Sequence, residues 1–234
     1  MKIDIITLFP EMLTGFLNTS IMKRAASKNY VSFCITNPRD FAKDKHKSAD
    51  DRPFGGGPGM IMKPEPIFAA VESVKTKNSK VILLSPTGKT FSHKIAKKIS
   101  TDESHLILIC GHYEGIDERV REFLVDDVIS IGDYVLTNGA LASAVIIDSV
   151  VRLIPGVLGG GKEAIIDESF SSGILDFPQY TRPANFRDMA VPKVLLSGDH
   201  KEIMKWRKSM ALKNTHNLRS DLLMNQLKKD QNNT

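Results

Sequence analysis

The sequence predicts an α/β protein built on a sheet of largely parallel strands, and two patterns lead to this prediction. First, five short runs of apolar and β-branched residues, each ended by proline, glycine or polar residues, have the composition of strands. They cover residues 2–8, 31–35, 81–84, 106–110 and 128–131. Second, helical segments at residues 11–27 and 92–100 lie between these runs. Because the first, third and fourth runs are almost continuously apolar, we expect strands covered on both faces, in a sheet that extends to about residue 155.

Residues 141–153, LASAVIIDSVVRL, form a further predicted helix that is apolar almost all round. Such a helix must be buried on several sides, against its own sheet or against another subunit. Pro155 and the glycines at 156, 159, 160 and 161 come next, and the residues after them are polar. We therefore expect a flexible linker or lid over residues 159–172.

Residues 173–234 are predicted to form a small, mainly helical C-terminal domain. Asp199 and Glu202 have the spacing of a helix N-cap with its reciprocal carboxylate, and the helix that they open carries an apolar stripe. Lys201, Lys205 and Lys208 share another face of this helix. Two interpretations of the lysines stay open, a solvated surface and a nucleic-acid contact.

Composition restricts the class of protein. The 234 residues include 32 basic and 27 acidic side chains, a net charge of +5 that favours an anionic partner only modestly. The N-terminal apolar run is too short and too acidic for a signal peptide, and no run reaches a membrane-spanning length, so we expect a cytoplasmic protein without a membrane partner. Cys34 and Cys110 lie in apolar runs without CxxC spacing, which predicts two buried free thiols.

Two nucleotide-binding motifs are incomplete in this chain. Residues 156–162 have the glycine and lysine spacing of a P-loop, but Glu163 stands where magnesium requires Ser or Thr. A dinucleotide fingerprint fails because Met60 replaces its last glycine. The glycines of residues 55–59 therefore serve backbone shape. With Asp50, Asp51 and Arg52 just before them, the pattern is compatible with a tight turn held by an Asp–Arg pair and with a catalytic role.

Three loops leave the carboxyl ends of predicted strands, at residues 84–88, 111–115 and 131–136. Ligands bind at this edge in open α/β sheets. The loops offer small residues for close backbone approach, and apolar side chains and backbone amides for an adenine ring. No arginine cluster or lysine accompanies them, so the pattern favours a small zwitterionic, adenine-bearing ligand over a nucleotide phosphate. Ordinary strand-end turns are the alternative.

Eight motifs, in order along the chain, resemble bacterial tRNA (guanine-N1)-methyltransferases. They are LFPEM (8–12), DDRPFGGGPGM (50–60), LSPTG (84–88), CGHYEGIDER (110–119), SIGDYVL (130–136), DSVVRLIPGVLG (148–159), ILDFPQYTRP (174–183) and VLLSGDH (194–200). The resemblance covers most of the chain, and eight ordered matches make it specific. It implies a SPOUT-type sheet with a deep trefoil knot at about residues 81–153, inside a catalytic domain of residues 1–158.

The same resemblance implies that the strand-end loops bind S-adenosyl-L-methionine. The predicted cofactor-binding residues are Leu84, Ser85, Pro86, Gly111, Tyr113, Glu114, Ile131, Gly132, Asp133, Tyr134, Val135, Leu136, Gly139 and Leu141. The resemblance further implies a homodimer with each active site built across the subunit interface, and a tRNA substrate whose guanosine immediately 3′ to the anticodon is methylated. A requirement for Mg²⁺ is left open, and no metal-binding residue is predicted.

The reaction requires a base and a cation. Guanine N1 carries a proton, so a carboxylate must remove it while a cation stabilises the charge that develops on O6. The family uses an aspartate and an arginine. Arg152 matches the arginine, and a salt bridge with Asp148 is its structural alternative. Where the family has Asp-Ser-Phe, this chain has Asp-Glu-Ser-Phe at residues 167–170. Glu168 therefore aligns with the family's aspartate, whereas Asp167 has the same side chain but lies one residue earlier. We take Glu168 as the base and Asp167 as its alternative.

Contacts with tRNA are assigned to Asp50, Arg52, Lys201, Lys205, Lys208 and Arg219. The chain departs from the family at Asn138 and Ala140, which follow the third loop, and at Leu218 and Ser220 near the C-terminus. A P-loop nucleotide hydrolase and a non-catalytic RNA-binding protein that retains the fold are the competing hypotheses.

Overall fold

The computed structural model describes residues 1–159 and 168–224, and the chain divides into two compact units, Met1–Gly159 and Gly160–Thr234. The described strands of the first unit are β1 (Lys2–Ile6), β2 (Ser32–Thr36), β3 (Asp50–Asp51), β4 (Ile61–Met62), β5 (Ser79–Thr90), β6 (His105–Cys110) and β7 (Asp127–Ser130). Its helices are α1 (Glu11–Leu17), α2 (Ser20–Ser27), α3 (Pro64–Val74), α4 (His93–Asp102), α5 (Glu118–Phe123) and α6 (Ala140–Val151), with a 3-10 turn at Pro38–Phe41.

Five strands form one parallel sheet in the order β2-β1-β6-β5-β7. Parallel neighbours require crossover connections, which the helices between the strands supply. The predicted mixed α/β fold with a parallel sheet is confirmed, and all five predicted strands are present, although β5 extends to Thr90, six residues beyond the predicted end at Leu84. Residues 11–27 were expected to be one helix, and this was wrong: α1 ends at Leu17, and Ser20, with φ 47°, begins α2.

The core lies on both faces of the central strands. Ile3 and Ile6 of β1 are fully buried, and all six residues of β6 are buried. The prediction of two buried thiols was wrong for one of them. Cys110 ends a central strand and is buried, whereas Cys34 is exposed because β2 is an edge strand with an alternating pattern of exposure. Neither cysteine forms a disulfide within the described residues.

Helix α6 is buried on one side only. It contacts α1, α2, α4 and β6, and Ile146 and Ile147 are fully buried. On the opposite side, Leu141 and Val145, one turn apart, are 49% and 46% exposed. Burial all round the helix is therefore not achieved within one chain, and the alternative of a second subunit stays a prediction.

A short antiparallel hairpin, β3 and β4, presents the glycine-rich loop. Asp50 pairs with Met62, and the loop between the strands contains Gly55, Gly56, Gly57 and Gly59, all with positive φ. Main-chain hydrogen bonds attach the base of the hairpin to the loop after β6, because Met62 donates to Gly115 and Glu114 donates to Met60, each at 3.0 Å. The expected turn with an Asp–Arg pair is only half right, since Asp51 accepts from the backbone of Arg52 rather than from its guanidinium.

The second unit contains a long helix and a small hairpin. Its described elements are β8 (Asn185–Phe186), β9 (Met189–Ala190), a 3-10 turn at Lys193–Leu196 and α7 (His200–Leu218). The Asp199 carboxylate accepts from the backbone of Lys201 and Glu202, which confirms the predicted N-cap. The reciprocal bond was wrong: Glu202 pairs with Lys205 at 2.7 Å, and the Asp199 N–H donates to Ser197.

Among the residues that the structure describes, no helix is long and apolar enough to cross a membrane.

Candidate active site

A cavity of about 420 Å³ opens at the carboxyl edge of the parallel sheet, where the loops after β6 and β7 meet a loop within β5. All of the predicted cofactor residues line it except Asp133 and Leu141. The lining residues from that prediction are Leu84, Ser85, Pro86, Gly111, Tyr113, Glu114, Ile131, Gly132, Tyr134, Val135, Leu136 and Gly139. Asp133 is exposed outside the cavity wall, and Leu141 lies on the exposed side of α6.

The first of these loops interrupts strand β5. Pairing with β7 passes from Leu84 opposite Ile129 directly to Lys89 opposite the same Ile129, so residues 85–88 are looped out. Gly88 makes this possible, because a Cβ there would lie 2.6 Å from backbone atoms of Ile129. Ser85 and Thr87 then join their hydroxyls across the loop at 3.0 Å. The loop presents Pro86 and its polar neighbours to the cavity.

The second loop is held by aromatic contacts. His112 lies between Phe9 and Tyr113, with ring centroids 4.9 and 4.3 Å away, and Tyr113 adopts the left-handed region at φ 57°. Within the described residues, Nδ1 of His112 is buried and has no hydrogen-bond partner. A buried polar atom of this kind is costly unless a ligand or water satisfies it. His112 and Tyr113 both line the cavity, and the unpaired Nδ1 lies buried behind its wall.

Arg39 connects this loop to the glycine-rich hairpin. Its guanidinium donates to the Tyr113 hydroxyl at 3.1 Å and pairs with the Asp50 carboxylate at 3.4 Å. A residue assigned to tRNA is therefore linked, through one arginine, to a residue assigned to the cofactor. Gly59 of the same hairpin also lies against Glu114, since a Cβ there would lie 2.5 Å from the carboxylate. The hairpin and the cavity form one continuous structure.

The third loop closes onto the second. The Gly139 N–H donates to the Gly111 carbonyl at 2.8 Å, and Asn138 forms an antiparallel bridge with His112. Asn138 also accepts from the backbone N–H of Ala140, the first residue of α6. Asn138, one of the departures from the family, therefore contacts the beginning of this helix.

Charge in the cavity comes from one helix and one loop. Glu114 lines it, as do Glu118 and Arg121 of α5, and Arg121 pairs with Glu118 at 2.7 Å. No arginine cluster or lysine was expected beside the loops, and among the described residues the lining contains one arginine, Arg121, because α5 follows the second loop directly. This arginine is already paired with a carboxylate, so Glu114 leaves the lining with a net negative charge. A ligand with a positive group fits this lining better than a phosphate does.

The predicted catalytic residues are distributed over the two units. Arg152 is half-buried directly after α6, and its N–H donates to the Asp148 carbonyl at 3.3 Å. In the second unit, Ser171 donates to the Glu168 carbonyl through its N–H and its hydroxyl, at 3.2 and 2.8 Å. Glu168 therefore begins a hydrogen-bonded turn. Asp167 lies outside the described residues, as do residues 160–162 of the P-loop-like segment.

Three of the residues assigned to tRNA, Asp50, Lys205 and Arg219, are already engaged in ion pairs. Besides the contact of Asp50 with Arg39, Arg219 makes a two-point ion pair with Asp221, with both distances 2.8 Å. This pair lowers the pKa of Asp221 and raises that of Arg219. Arg52, Lys201, Lys205 and Lys208 are exposed.

Sequence reasoning missed several residues around the cavity. His112 lay inside a motif but was given no role, and Arg39 lies far from every predicted loop in the sequence. Ile116, Thr137 and Ala142 also line the cavity. A signal existed for His112, which sits between two predicted contacts. No pattern could have pointed to Arg39, because its link to Tyr113 depends on the path of the chain. No cluster of three or more His, Cys, Asp or Glu side chains suited to a metal occurs among the residues that the structure describes.

Fold and site together define an α/β protein with a ligand cavity at the carboxyl edge of a parallel sheet. The sequence model of the family described as tRNA (guanine-1)-methyltransferase TrmD matches residues 1–225 of this chain. The chain therefore belongs to that family. This confirms the resemblance and the enzyme class predicted from the motifs.

Curated relatives agree with this assignment. A protein of Carboxydothermus hydrogenoformans named tRNA (guanine-N(1)-)-methyltransferase is 57% identical over 223 residues, which cover 95% of this chain and 87% of the relative. A protein of Anoxybacillus flavithermus with the same name is 57% identical over 227 residues, covering 95% and 91%. One from Bacillus cereus is 54% identical over 226 residues, covering 95% and 92%.

Proposed function

We propose that this protein transfers a methyl group from S-adenosyl-L-methionine to N1 of the guanosine immediately 3′ to the anticodon of tRNA, and that it acts in the cytoplasm. One observation carries the proposal: in a member of this family, the loops that the motifs single out surround one cavity at the carboxyl edge of the sheet. The looped-out residues 85–88 and the close approach of Gly139 to the loop after β6 favour the knotted path that the family implies.

The cavity fits the proposed methyl donor. Its volume of about 420 Å³ is within the range of small-molecule sites. Leu84, Ile131 and Leu136 supply apolar surface for an adenine ring, and the backbone amides of the three loops supply hydrogen-bond donors for its edge. Glu114 supplies negative charge for a ligand that carries positively charged groups. When bound, S-adenosyl-L-methionine supplies an electrophilic methyl group.

The chain's own residues then prepare the guanine. A carboxylate, Glu168 with Asp167 as its alternative, removes the proton from N1, because protonated N1 is a poor nucleophile. Arg152 stabilises the negative charge that develops on O6 as this proton leaves. Asp50 and Arg52 at the base of the glycine-rich loop contact the tRNA near the cavity, and Lys201, Lys205, Lys208 and Arg219 contact it from the second unit.

The proposed roles assign a function to each part of the chain. Residues 1–158 form the catalytic domain, residues 159–172 a linker or lid, and residues 173–234 a tRNA-binding domain. The active site is completed across a homodimer interface. The exposed apolar pair Leu141 and Val145 on α6 supports the dimer, because such a pair gains stability from burial against a second copy. Sedimentation of the protein and of Leu141→Asp/Val145→Asp tests the dimer, and a fully active monomer would argue against it.

Ligand identity tests the proposed reaction. Calorimetric titration with S-adenosyl-L-methionine and with ATP should give heat only for the first, and the protein should then methylate tRNA transcripts. Replacing the guanosine 3′ to the anticodon by adenosine in the transcript should abolish methyl transfer, whereas replacing a guanosine in the acceptor stem should not. Binding of ATP alone would favour a nucleotide hydrolase. RNA binding without methyl transfer would favour a non-catalytic protein that retains the fold.

A further inference from the structure

A second cavity, of about 390 Å³, lies entirely within the second unit. Its wall begins with residues 177–182, FPQYTR, the part of the ILDFPQYTRP motif to which the proposed reaction gives no role. The other side is formed by the base of the β8–β9 hairpin, by the 3-10 turn and by α7. These parts contribute Ala184, Val191, Leu195, Leu196, Ile203 and Arg207.

The chemistry of the wall combines aromatic rings with positive charge. Phe177 and Tyr180 line the cavity, and half of Tyr180 is exposed. Arg182 and Arg207 line it as well, and the Arg207 guanidinium lies over the Phe177 ring at 4.7 Å from its centroid. No acidic side chain lines this cavity within residues 168–224. Over that part of the chain, neither arginine forms an ion pair, whereas Arg219 and Lys205 both do.

Hydrogen bonds to Asp176 and to α7 hold the wall of this cavity in place. The Asp176 carboxylate accepts from the backbone of Phe177 and from the Gln179 side chain, at 2.7 and 3.1 Å, so the nearest acid is already engaged. Asn214 of α7 donates to the Asp176 carbonyl at 3.1 Å, and the buried Thr215 accepts from Leu175 at 2.9 Å. The aromatic segment is therefore fixed to α7 before any ligand arrives.

We infer that this cavity holds one unstacked nucleotide of the tRNA, with its base against Tyr180 and its phosphate at Arg182 and Arg207. Aromatic side chains stack on unpaired bases, and arginine forks bind phosphate oxygens with two donors at once. Double-stranded RNA would not enter a cavity of this size, so the occupant is a nucleotide from a loop or a bulge. The inference rests on tRNA being the substrate and adds to it a defined contact of the second unit.

Substitution of the two arginines tests the inference. In the full chain, Arg182→Gln/Arg207→Gln should weaken binding of a tRNA transcript by at least about tenfold and lower the slope of log affinity against log salt by about 0.7, as expected for one lost contact to a single-stranded phosphate. Affinity for S-adenosyl-L-methionine should not change. Arg187→Gln is a matched control, because Arg187 lies over Phe186 at 5.2 Å in the same kind of contact but outside the cavity. It should change the tRNA affinity by less than about twofold.

Crosslinking tests the aromatic wall, and its first step uses the unaltered protein. Transcripts carrying 5-iodouridine at single loop positions should crosslink the unaltered protein to the peptide that contains residues 177–184. Tyr180→Phe should retain the crosslink and the affinity, and Tyr180→Leu should lose both.

Unchanged affinity of the double variant together with crosslinks elsewhere would overturn the inference. Sedimentation of the double variant as a monomer, where the wild-type protein is a dimer, would also overturn it and identify the cavity as a subunit contact. If the wild-type protein crosslinks at this peptide but transfers no methyl group, the proposed reaction fails while the nucleotide site stands.

Discussion

Gly139 lies against the backbone of Cys110, so closely that a Cβ on Gly139 would lie 2.8 Å from the Cys110 Cα. The φ of Gly139 is −79°, so any residue could adopt its conformation, and only space requires glycine here. This contact brings the beginning of α6 onto the end of the central strand β6. It sets the distance between two of the loops that line the first cavity.

Gly139→Ala should therefore damage both stability and ligand binding. Overpacking against backbone costs about 1–3 kcal/mol, because backbone cannot move aside as a flexible side chain can. We expect a loss of that size in urea unfolding, and a fall in affinity for S-adenosyl-L-methionine measured by calorimetry. The control is Gly15→Ala, in the interior of α1 with nothing within 4 Å of the added Cβ, which should gain about 0.5–1 kcal/mol. Wild-type stability and affinity for Gly139→Ala would contradict the steric argument.

The regular part of the fold could be predicted because its signal is local. Buried parallel strands are continuous apolar runs, and the five runs stand in the sequence where the strands stand in the structure. The position of a strand in the sheet is not local, and for this reason the exposure of Cys34 on the edge strand β2 was missed. The break at Ser20 was also missed, because a positive φ at a serine has no periodic signature.

In the candidate site, too, local features could be predicted and non-local ones could not. Loops at strand ends are visible in the sequence, but the direction of each side chain within a loop is not. Asp133 and Leu141 are therefore neighbours of lining residues that point elsewhere. Arg39 was invisible, since its contact with Tyr113 joins residues 74 positions apart.

Arg39→Ala tests whether this contact matters. Removing the guanidinium leaves the Tyr113 hydroxyl and the Asp50 carboxylate without their shared donor, so the tyrosine should be less well ordered over the cavity. We expect affinity for S-adenosyl-L-methionine to fall about three- to tenfold, on the scale of one ordinary hydrogen bond. Lys47→Ala is the control: its exposed pair with Asp40, at 3.4 Å, should contribute little. Equal affinities for the two variants would show that Arg39 does not position Tyr113.

The two cysteines should differ in reactivity. Cys34 is exposed, whereas burial raises the pKa of the Cys110 thiol to about 12, partly offset by a hydrogen bond with Ser143. The thiolate is the reactive form, so at pH 8 a disulfide reagent should titrate one thiol rapidly in the folded protein and two after unfolding. Cys34→Ser should leave none rapidly reactive. Rapid reaction at Cys110 would contradict its burial.

The same pKa shift makes stability depend on pH. Because the folded pKa lies above the unfolded value near 9, the folded state binds the extra proton between these values, and stability falls as pH rises through that window. Relative to Cys110→Ala, the free energy of unfolding should therefore fall by roughly 1.4 kcal/mol per pH unit from about pH 9 to 12 and be independent of pH below it. Parallel profiles for the two proteins would contradict this.

Substitution can decide whether the lysine face of α7 contacts tRNA or is only a solvated surface. Lys201, Lys205 and Lys208 are exposed, and Lys205 is paired with Glu202. Changing all three to Ala should weaken tRNA binding and lower its salt slope by about 2 to 3, if each contacts a phosphate. The matched control is the triple change of Lys94, Lys97 and Lys98, exposed on α4 of the first unit, to Ala. If both triple variants show the same slope of log tRNA affinity against log salt, the lysines of α7 form an ordinary solvated surface.

The identity of the general base is the last prediction, because alignment with the family indicates Glu168 whereas the type of side chain indicates Asp167. If Glu168 removes the N1 proton, Glu168→Gln should keep the affinities for S-adenosyl-L-methionine and tRNA but slow single-turnover methylation by about 10²-fold or more, the scale of a lost general base. Asp167→Asn should then be mild. Arg152→Ala should lose a comparable factor, because its contribution appears only as charge develops on O6.

Single-turnover rates are required, since slow product release could hide a slower chemical step. The Glu168 carbonyl accepts two hydrogen bonds from Ser171, which hold the main chain that carries the Glu168 carboxylate. A carboxylate on a held main chain is better placed to meet the same substrate atom at each turnover. If Asp167→Asn abolishes methyl transfer and Glu168→Gln does not, the shorter acid is the base and the register is shifted by one residue. If neither variant slows the reaction, Asp50 beside the glycine-rich loop becomes the next acid to test, and its own pairing with Arg39 predicts that Asp50→Asn would also disturb Tyr113.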